Sequence, residues 1–245
     1  MFVNEGAGSA TSSRVRRSVT LVRQALQADV HTTATRDPAA LQEWMAERLG
    51  DYRTLVIAGG DGSLGVAYNV VAGRDVEVGY IPAGFGNATA HLLRLPRDPD
   101  RLAAVIAAGD SRPVDLVAVD GRLALFAGAG WDALVAGRYA AAGARRLPGW
   151  AMAVARSLPD LVRRPLVAVE ADGRVVHEGP MELLVVGTTP WFGRGLLVNP
   201  GARVDAGQLT MRVYAGPLPA FGLEALRWVA RRKPAAKGVA AQRVQ

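Results

Sequence analysis

The sequence predicts a two-domain α/β chain: a parallel, helix-covered sheet over residues 1–112, then a β-rich domain over residues 113–245. Three observations carry that prediction. The first domain alternates short apolar runs with segments of helical periodicity, the β-α-β-α rhythm of a parallel sheet. Two glycine loops, Gly59-Gly60-Asp61-Gly62-Ser63 and Pro82-Ala83-Gly84-Phe85-Gly86-Asn87, each follow such a run and open a helix. From Pro113 onward, turn signals such as Asp120-Gly121 separate apolar runs of strand length.

Each element has its own justification. Phe2-Val3 reads as the end of a strand and is followed by the small-residue stretch Gly6-Ala7-Gly8-Ser9. Val15, Val19, Val22 and Leu26 stand at helical spacing and predict a helix from Arg14 to Ala28. Asp29 to Thr35 is a short strand candidate. Asp37-Pro38 is a helix-start signal, and Leu41, Trp44, Met45 and Leu49 give that helix an apolar face. Leu55 to Ala58 reads as a buried strand, Leu64 to Val71 as a helix, Glu77 to Ile81 as a strand, and the second loop opens a helix through Leu93. In the second domain, Val114 to Val119 and Leu123 to Ala127 flank a hairpin turn; Trp131 to Arg138 and Trp150 to Arg163 are helical. Strand candidates follow at Leu166 to Ala171, Val175 to His177, Glu182 to Val186 and Leu209 to Tyr214, then a helix from Ala220 to Arg232 and a last strand from Val239 to Val244.

Composition narrows the chemistry. With no cysteine, thiol catalysis and thiolate metal sites are excluded, and three scattered histidines (His31, His91, His177) make a zinc site unexpected. The N-terminus lacks a secretory pattern, and no apolar run reaches the length of a membrane span. The expected location is therefore the cytoplasm. The net charge is +7, carried almost wholly by arginine, with Lys233 and Lys237 the only lysines. The pairs Arg16-Arg17, Arg145-Arg146, Arg163-Arg164 and the run Arg231-Arg232-Lys233 suit transient contact with the anionic inner face of a membrane. Aromatic residues do not interleave with them, so nucleic acid is not the expected partner.

The first glycine loop holds the chemistry. Glycines after a strand let backbone approach a phosphate, and the helix that follows aims its N–H groups and dipole there. Asp61 is the unusual member, because a carboxylate beside phosphates is repulsive unless a cation bridges them or the acid takes a proton during reaction. That argues for phosphoryl transfer with Mg²⁺. A tight strand-to-helix turn uses the same residue types without any ligand.

Gly59-Gly-Asp-Gly-Ser63 followed by Ile81-Pro-Ala-Gly-Phe-Gly-Asn87 resembles the diacylglycerol kinase catalytic-domain family, which includes bacterial lipid kinases and sphingosine kinases. The resemblance extends through Val3-Asn4-Glu5-Gly6-Ala7-Gly8, Val114-Asp115-Leu116, Ala127-Gly-Ala-Gly-Trp-Asp-Ala133 and Gly187 to Ala202. It implies an α/β nucleotide-binding domain of the kind shared with NAD kinases, a C-terminal β-sandwich that stops before its last strands, and an active site in the cleft between them. ATP is the implied donor, Mg²⁺ the cofactor and a lipid hydroxyl the acceptor; a homodimer is an assembly the sequence allows. By position, the resemblance places Asn4, Gly8, Thr33, Gly59, Gly60, Gly62, Ser63, Gly84, Gly86 and Asn87 around the nucleotide. Asp61 becomes the general base or the Mg²⁺ ligand, directly or through water, with Asp205 as its helper. Departures include Ala88 in place of an acid, Ala7 and Thr188 in place of polar residues, and Asp205-Ala206-Gly207 in place of Asp-Gly. They leave a nucleotide-binding protein of the same fold, with little kinase activity, as the second reading, and an NAD kinase as the third.

Overall fold

The computed structural model describes residues 1–35, 37–142, 147–193, 195–232 and 239–244, the last of these as backbone. The chain divides into two compact units at Pro113/Val114.

The first unit is a four-stranded parallel sheet between two helical layers. Its elements are β1 (Phe2–Asn4), α1 (Ser13–Leu26), β2 (His31–Thr33), α2 (Pro38–Leu49), β3 (Thr54–Gly59), α3 (Asp61–Val71), β4 (Glu77–Pro82), α4 (Ala88–Leu92) and α5 (Pro99–Ala108). Strand order is β2-β1-β3-β4. Alternation along β3 builds two cores at once. Leu55 and Ile57 face α2 and α3, where Leu41, Met45, Leu64, Ala67 and Tyr80 pack. Val56 and Ala58 face α1 and α5, where Val15, Val22, Leu102 and Ala103 pack. A strand buried on both faces reads as a continuous apolar run, which is why β3 is the clearest strand in the sequence.

Capping explains where the helices begin. Ser12 Oγ accepts from Val15 N at the head of α1, and Asp37 Oδ1 accepts from Ala39 N at the head of α2. The sequence reading names no element between Leu93 and Pro113, yet α5 fills that interval. Asp98 caps it by accepting from Arg101 N, with Pro99 as its first residue. This is the same Asp-Pro signal that starts α2. Arg17 on α1 grips Asp100 with two hydrogen bonds of 3.0 and 2.9 Å, so one arginine of the first basic pair is engaged.

The second unit is β-rich and antiparallel. Its elements are β5 (Val117–Val119), β6 (Arg122–Ala124), β7 (Phe126–Gly130), α6 (Trp131–Ala141), α7 (Leu147–Ser157), a 3₁₀ turn (Leu158–Val162), β8 (Leu166–Ala171), β9 (Arg174–Pro180), β10 (Leu183–Gly187), β11 (Trp191–Phe192), β12 (Leu196–Leu197), β13 (Leu209–Tyr214), α8 (Leu218–Val229) and β14 (Val239–Val244). The main sheet has the order β14-β13-β10-β7. The single strand expected over Leu123 to Ala127 is two: β6 closes a hairpin with β5, and after Leu125 the chain enters β7, which pairs with β10. Asp120 and Gly121 both adopt positive φ, the geometry a two-residue hairpin turn requires. The helix expected from Trp150 begins at Leu147 and tightens into the 3₁₀ turn at Leu158-Pro159.

Both faces of this sheet are covered. Leu183 and Val185 pack with Phe192, Val198, Phe221 and Trp228 on the helical side. Val169, Ala171, Met181, Met211 and Val213 form the other core under the β8–β9 ribbon. Glu182, near Phe221 and Glu224 of α8, is buried, paired with Arg164 and accepting from Gly216 N at 3.1 Å.

Candidate active site

The order β2-β1-β3-β4 reverses direction between β1 and β3, and open α/β sheets bind ligands outside the carboxyl ends of the strands at that reversal. Asn4 ends β1 and Gly59 ends β3, so both stand there. Asn4 is buried and fully used. Its Nδ2 donates to Ser63 Oγ at 3.0 Å and to the Thr35 carbonyl at 3.2 Å, while Oδ1 accepts from Gly6 N at 2.9 Å. One side chain thereby ties together the loops after β1, β2 and β3. Thr33 shapes the middle loop, its Oγ1 accepting from Thr35 N and its carbonyl from Glu5 N. Ser9 joins the first loop to the one after β4, with both its N–H and its hydroxyl donating to the Ala83 carbonyl.

The glycines of these loops differ in purpose. A Cβ on Gly59 would lie 2.7 Å from Ser63 Cβ. A Cβ on Gly84 would lie 2.6 Å from Gly60 Cα and 2.8 Å from Asn87 Oδ1. Gly60 and Gly84 are therefore where the two loops touch, backbone to backbone. A Cβ on Gly8 would meet Phe85 N at an ordinary contact distance of 3.6 Å, and Gly86 is half-buried in its loop. Gly62 is the exception: nothing lies within 4 Å of where its Cβ would be.

Asp61 is the residue the structure recasts. Its Oδ2 accepts from Ala88 N at 2.9 Å and its Oδ1 from Thr89 N at 3.1 Å. The carboxylate thus caps α4, taking the place of an external anion at that helix start. Its charge is answered by backbone N–H groups before any cation arrives. Asn87 precedes α4 but does not cap it with its side chain. It adopts a left-handed conformation (φ 52°), and its amide clips Gly84 instead: Oδ1 accepts from Gly84 N at 2.9 Å and Nδ2 donates to Gly84 O at 3.0 Å. Tyr80 donates to the same Oδ1 at 3.1 Å. Burial and then the Asp61 charge push the Tyr80 and Tyr68 phenols well above their ordinary range, so both stay neutral.

The head of α3 stands in contrast. It starts directly from Gly60 at the end of β3, and no side chain caps its first turn. Of two neighbouring helix starts, one is filled by Asp61 and the other carries no side-chain cap. The donor set also bears on Mg²⁺. Each Asp61 oxygen, with one bond to an N–H, keeps a lone pair. Among the described residues no group of three acidic or histidine side chains converges to build a metal site by itself. The residues therefore fit a Mg²⁺ delivered with nucleotide phosphates and touched by Asp61, the mode usual for this ion.

Of the residues singled out in the sequence, Asn4, Thr33, Gly59, Gly60, Asp61, Ser63, Gly84 and Asn87 all sit in or beside the linked loops. Asp205 belongs to the second unit. It is ion-paired with Arg203 and borders a cavity of about 260 Å³ with Gly201, Gln208 and Thr210. Asp115 accepts from Gly207 N at 2.6 Å and so holds the turn that carries Asp205. Ser9, Tyr80 and Thr89 carry no functional signal in the sequence; Ser9 acts through its N–H and hydroxyl, Thr89 through its N–H and Tyr80 through its hydroxyl. Asp132, in the Gly128 to Ala133 stretch, was assigned no role. It lies over Gly128, where a Cβ would collide with its Oδ2, and its buried Oδ1 has no hydrogen-bond partner. Burial raises its pKa to about 6 against the opposing pull of the Ala133 N–H and its own.

A parallel sheet whose glycine loops meet beside an uncapped helix start is an α/β architecture suited to phosphate-bearing ligands. Residues 1–119, which include the whole first unit, match the family model "Diacylglycerol kinase catalytic domain", and that part of the chain belongs to the family. A diacylglycerol kinase of Mycobacterium tuberculosis is 32% identical over 165 residues, covering 63% of this chain and 52% of that protein. A Pseudomonas aeruginosa protein named "Probable lipid kinase YegS-like" is 33% identical over 181 residues, covering 70% of this chain and 57% of that one. The chain thus spans about half the length of the curated relatives it matches. A solved diacylglycerol kinase of Bacillus anthracis shares the fold at TM-score 0.71 and 18% identity, covering 100% of this chain and 82% of that one.

Proposed function

We propose that the protein is a lipid kinase that transfers the γ-phosphoryl group of ATP to a hydroxyl of a diacylglycerol-like or sphingoid-like acceptor. The observation that carries the reading is the uncapped start of α3, set between Gly60 and Gly62 at the strand reversal where Asn4 and Ser63 meet. The acceptor oxygen forms its bond to the γ-phosphorus as the bond to the bridging oxygen breaks, and the hydroxyl proton must leave. The lone pairs that Asp61 keeps are the acceptor for that proton in this reading. Mg²⁺, when bound with the nucleotide, neutralises charge on the phosphate oxygens. Asp205 enters only if its ion pair with Arg203 opens, since its carboxylate is otherwise engaged.

A second reading, nucleotide binding with little turnover, is favoured by one observation: Asp61 already spends both oxygens on α4. Two measurements separate the readings. Labelled ATP, Mg²⁺ and a panel of lipid vesicles test transfer directly, with NAD in the panel as the alternative acceptor. The variant Gly62→Ala tests the site without touching Asp61. An added methyl meets nothing in the protein and should leave stability unchanged or raise it by up to about 1 kcal/mol. If phosphates occupy that space, ATP affinity falls about tenfold or more, a clash of roughly 1.4 kcal/mol. Unchanged ATP affinity would refute the nucleotide site; ATP binding without labelled lipid would refute the kinase.

A further inference from the structure

The second unit presents two helices whose outward faces are apolar. α8 turns Phe221, Glu224 and Trp228 inward, and its opposite face consists of Leu218, Pro219, Gly222, Leu223, Leu226 and Val229, all exposed. Leu226 and Val229 are 69% and 70% exposed. α7 repeats the pattern: Gly149, Ala153 and Ser157 are buried, while Leu147, Pro148, Ala151, Met152 and Ala155 face out. The 3₁₀ turn extends that face with Leu158 and with Val162, which is 71% exposed. Surface helices in water keep their apolar stripe for the core and a polar stripe for solvent. Here the inward stripe is satisfied and the outward one is apolar as well, beyond the scatter of single exposed residues that any protein shows.

Both faces belong to one helical layer. Leu161 of the 3₁₀ turn and Phe221 and Trp228 of α8 pack on the same side of the main sheet. Trp131 links them, with its ring edge-on to Phe221 at 5.8 Å and its Nε1 donating to the Ser157 carbonyl at 2.7 Å. The rim is cationic. Arg156 and Arg163 edge α7 and its extension, and Arg231 and Arg232 follow α8, all four exposed. The acids nearby are occupied: Asp160 pairs with Arg138, and Glu224 lies beside Arg227.

We propose that α7, the Leu158–Val162 turn and α8 form an interfacial docking surface for an anionic lipid bilayer. The apolar faces enter the acyl boundary, and the arginines reach lipid phosphates at the rim. A second copy of the chain fits less well, because a symmetric contact through this face would set one arginine rim against another. The proposal takes its purpose from the lipid-acceptor reading above, but its test needs neither nucleotide nor turnover.

The chain has no cysteine, so single-cysteine variants report one position each. Leu226→Cys, Val162→Cys and Met152→Cys would carry an environment-sensitive fluorophore, with Val105→Cys on α5 and Val175→Cys on the β8–β9 ribbon as controls; all five sites are exposed. On vesicles of phosphatidylcholine mixed with phosphatidylglycerol, the three test positions should brighten about twofold or more and shift to the blue, while the controls stay constant. The double variant Leu226→Glu, Val229→Glu should weaken vesicle binding about tenfold or more; should it fail to fold, the labelled variants decide alone. Silence at the α8 or α7 positions, or an equal response at the controls, overturns the proposal. An equal response to phosphatidylcholine alone overturns the anionic assignment. A response without vesicles that grows with protein concentration makes a second copy the occupant and overturns it too. Docking without lipid phosphorylation would sink the kinase reading and leave this surface standing; phosphorylation of detergent-dispersed lipid with silent probes would do the reverse.

Discussion

Replacing Asp61 by Asn should damage the fold of its loop as well as any chemistry. Two backbone N–H groups, of Ala88 and Thr89, depend on its two oxygens. A hydrogen bond to a charged group is worth about 1.5–3 kcal/mol net. An asparagine keeps one acceptor and turns an amide N–H₂ toward the other N–H, so one charge-assisted bond is lost outright and the other becomes neutral. Because Asp61 is half-buried, the expected cost lies near the low end, about 1–3 kcal/mol. Urea unfolding reads the total, and hydrogen exchange at the Ala88 and Thr89 amides reads the location, with both losing protection in Asp61→Asn. If the variant matches the wild type within about 0.3 kcal/mol and both amides stay protected, the anchoring argument is wrong. Loss of lipid phosphorylation in that case assigns Asp61 to the chemistry alone. Loss of phosphorylation together with exposed amides assigns it to position.

Three further outcomes follow from the same geometry. Asp132 binds its proton more tightly when folded, with a pKa of about 6 against an ordinary 3.8, so its contribution is most favourable below pH 4 and is lost as pH rises toward 6. At about 1.4 kcal/mol per pH unit the loss approaches 3 kcal/mol at neutral pH; Asp132→Asn should flatten the urea stability profile between pH 4 and 7 and be the more stable protein at pH 7. Tyr80→Phe leaves Asn87 Oδ1 with Gly84 N as partner; it should cost about 0.5–1.5 kcal/mol in urea unfolding and weaken ATP binding through the loop, whereas an effect on turnover alone would contradict this account. Arg164→Ala strands the buried Glu182 charge and should destabilise by about 2–4 kcal/mol, with the double variant Arg164→Ala, Glu182→Gln recovering part of that loss in the same assay.

The parallel sheet was legible because its signals are local. β3 is an apolar run closed by glycines, α2 starts at Asp37-Pro38, and helical spacing marks α1. The Asp98-Pro99 start of α5 is equally local, a repeat of the Asp37-Pro38 signal. The β6–β7 break was hidden because nothing along Leu123 to Ala127 marks where one strand stops and another begins; pairing with β10 decides it. Placement in the loops at the strand ends was legible for the glycines and Asn4. Bonding was not. That Asp61 caps a helix 27 residues further on, or that Asn87 closes its own loop, depends on how the loops after β3 and β4 meet.

That meeting point has a consequence for how the family's variation is to be interpreted. A Cβ on Gly84 would lie 2.6 Å from Gly60 Cα, whereas one on Gly60 would lie 3.2 Å from Gly84 Cα, so a saturation screen for activity would score Gly84 as essential and Gly60 as tightly constrained. Gly62, with open space before it, would score as essential only in the presence of nucleotide. The three positions look alike in a motif, yet two are constrained by the close approach of the backbone and the third, under the proposed nucleotide site, by its ligand. A screen run twice, once for folding and once for turnover, sorts them, and the position that appears in the second list alone marks the phosphate site.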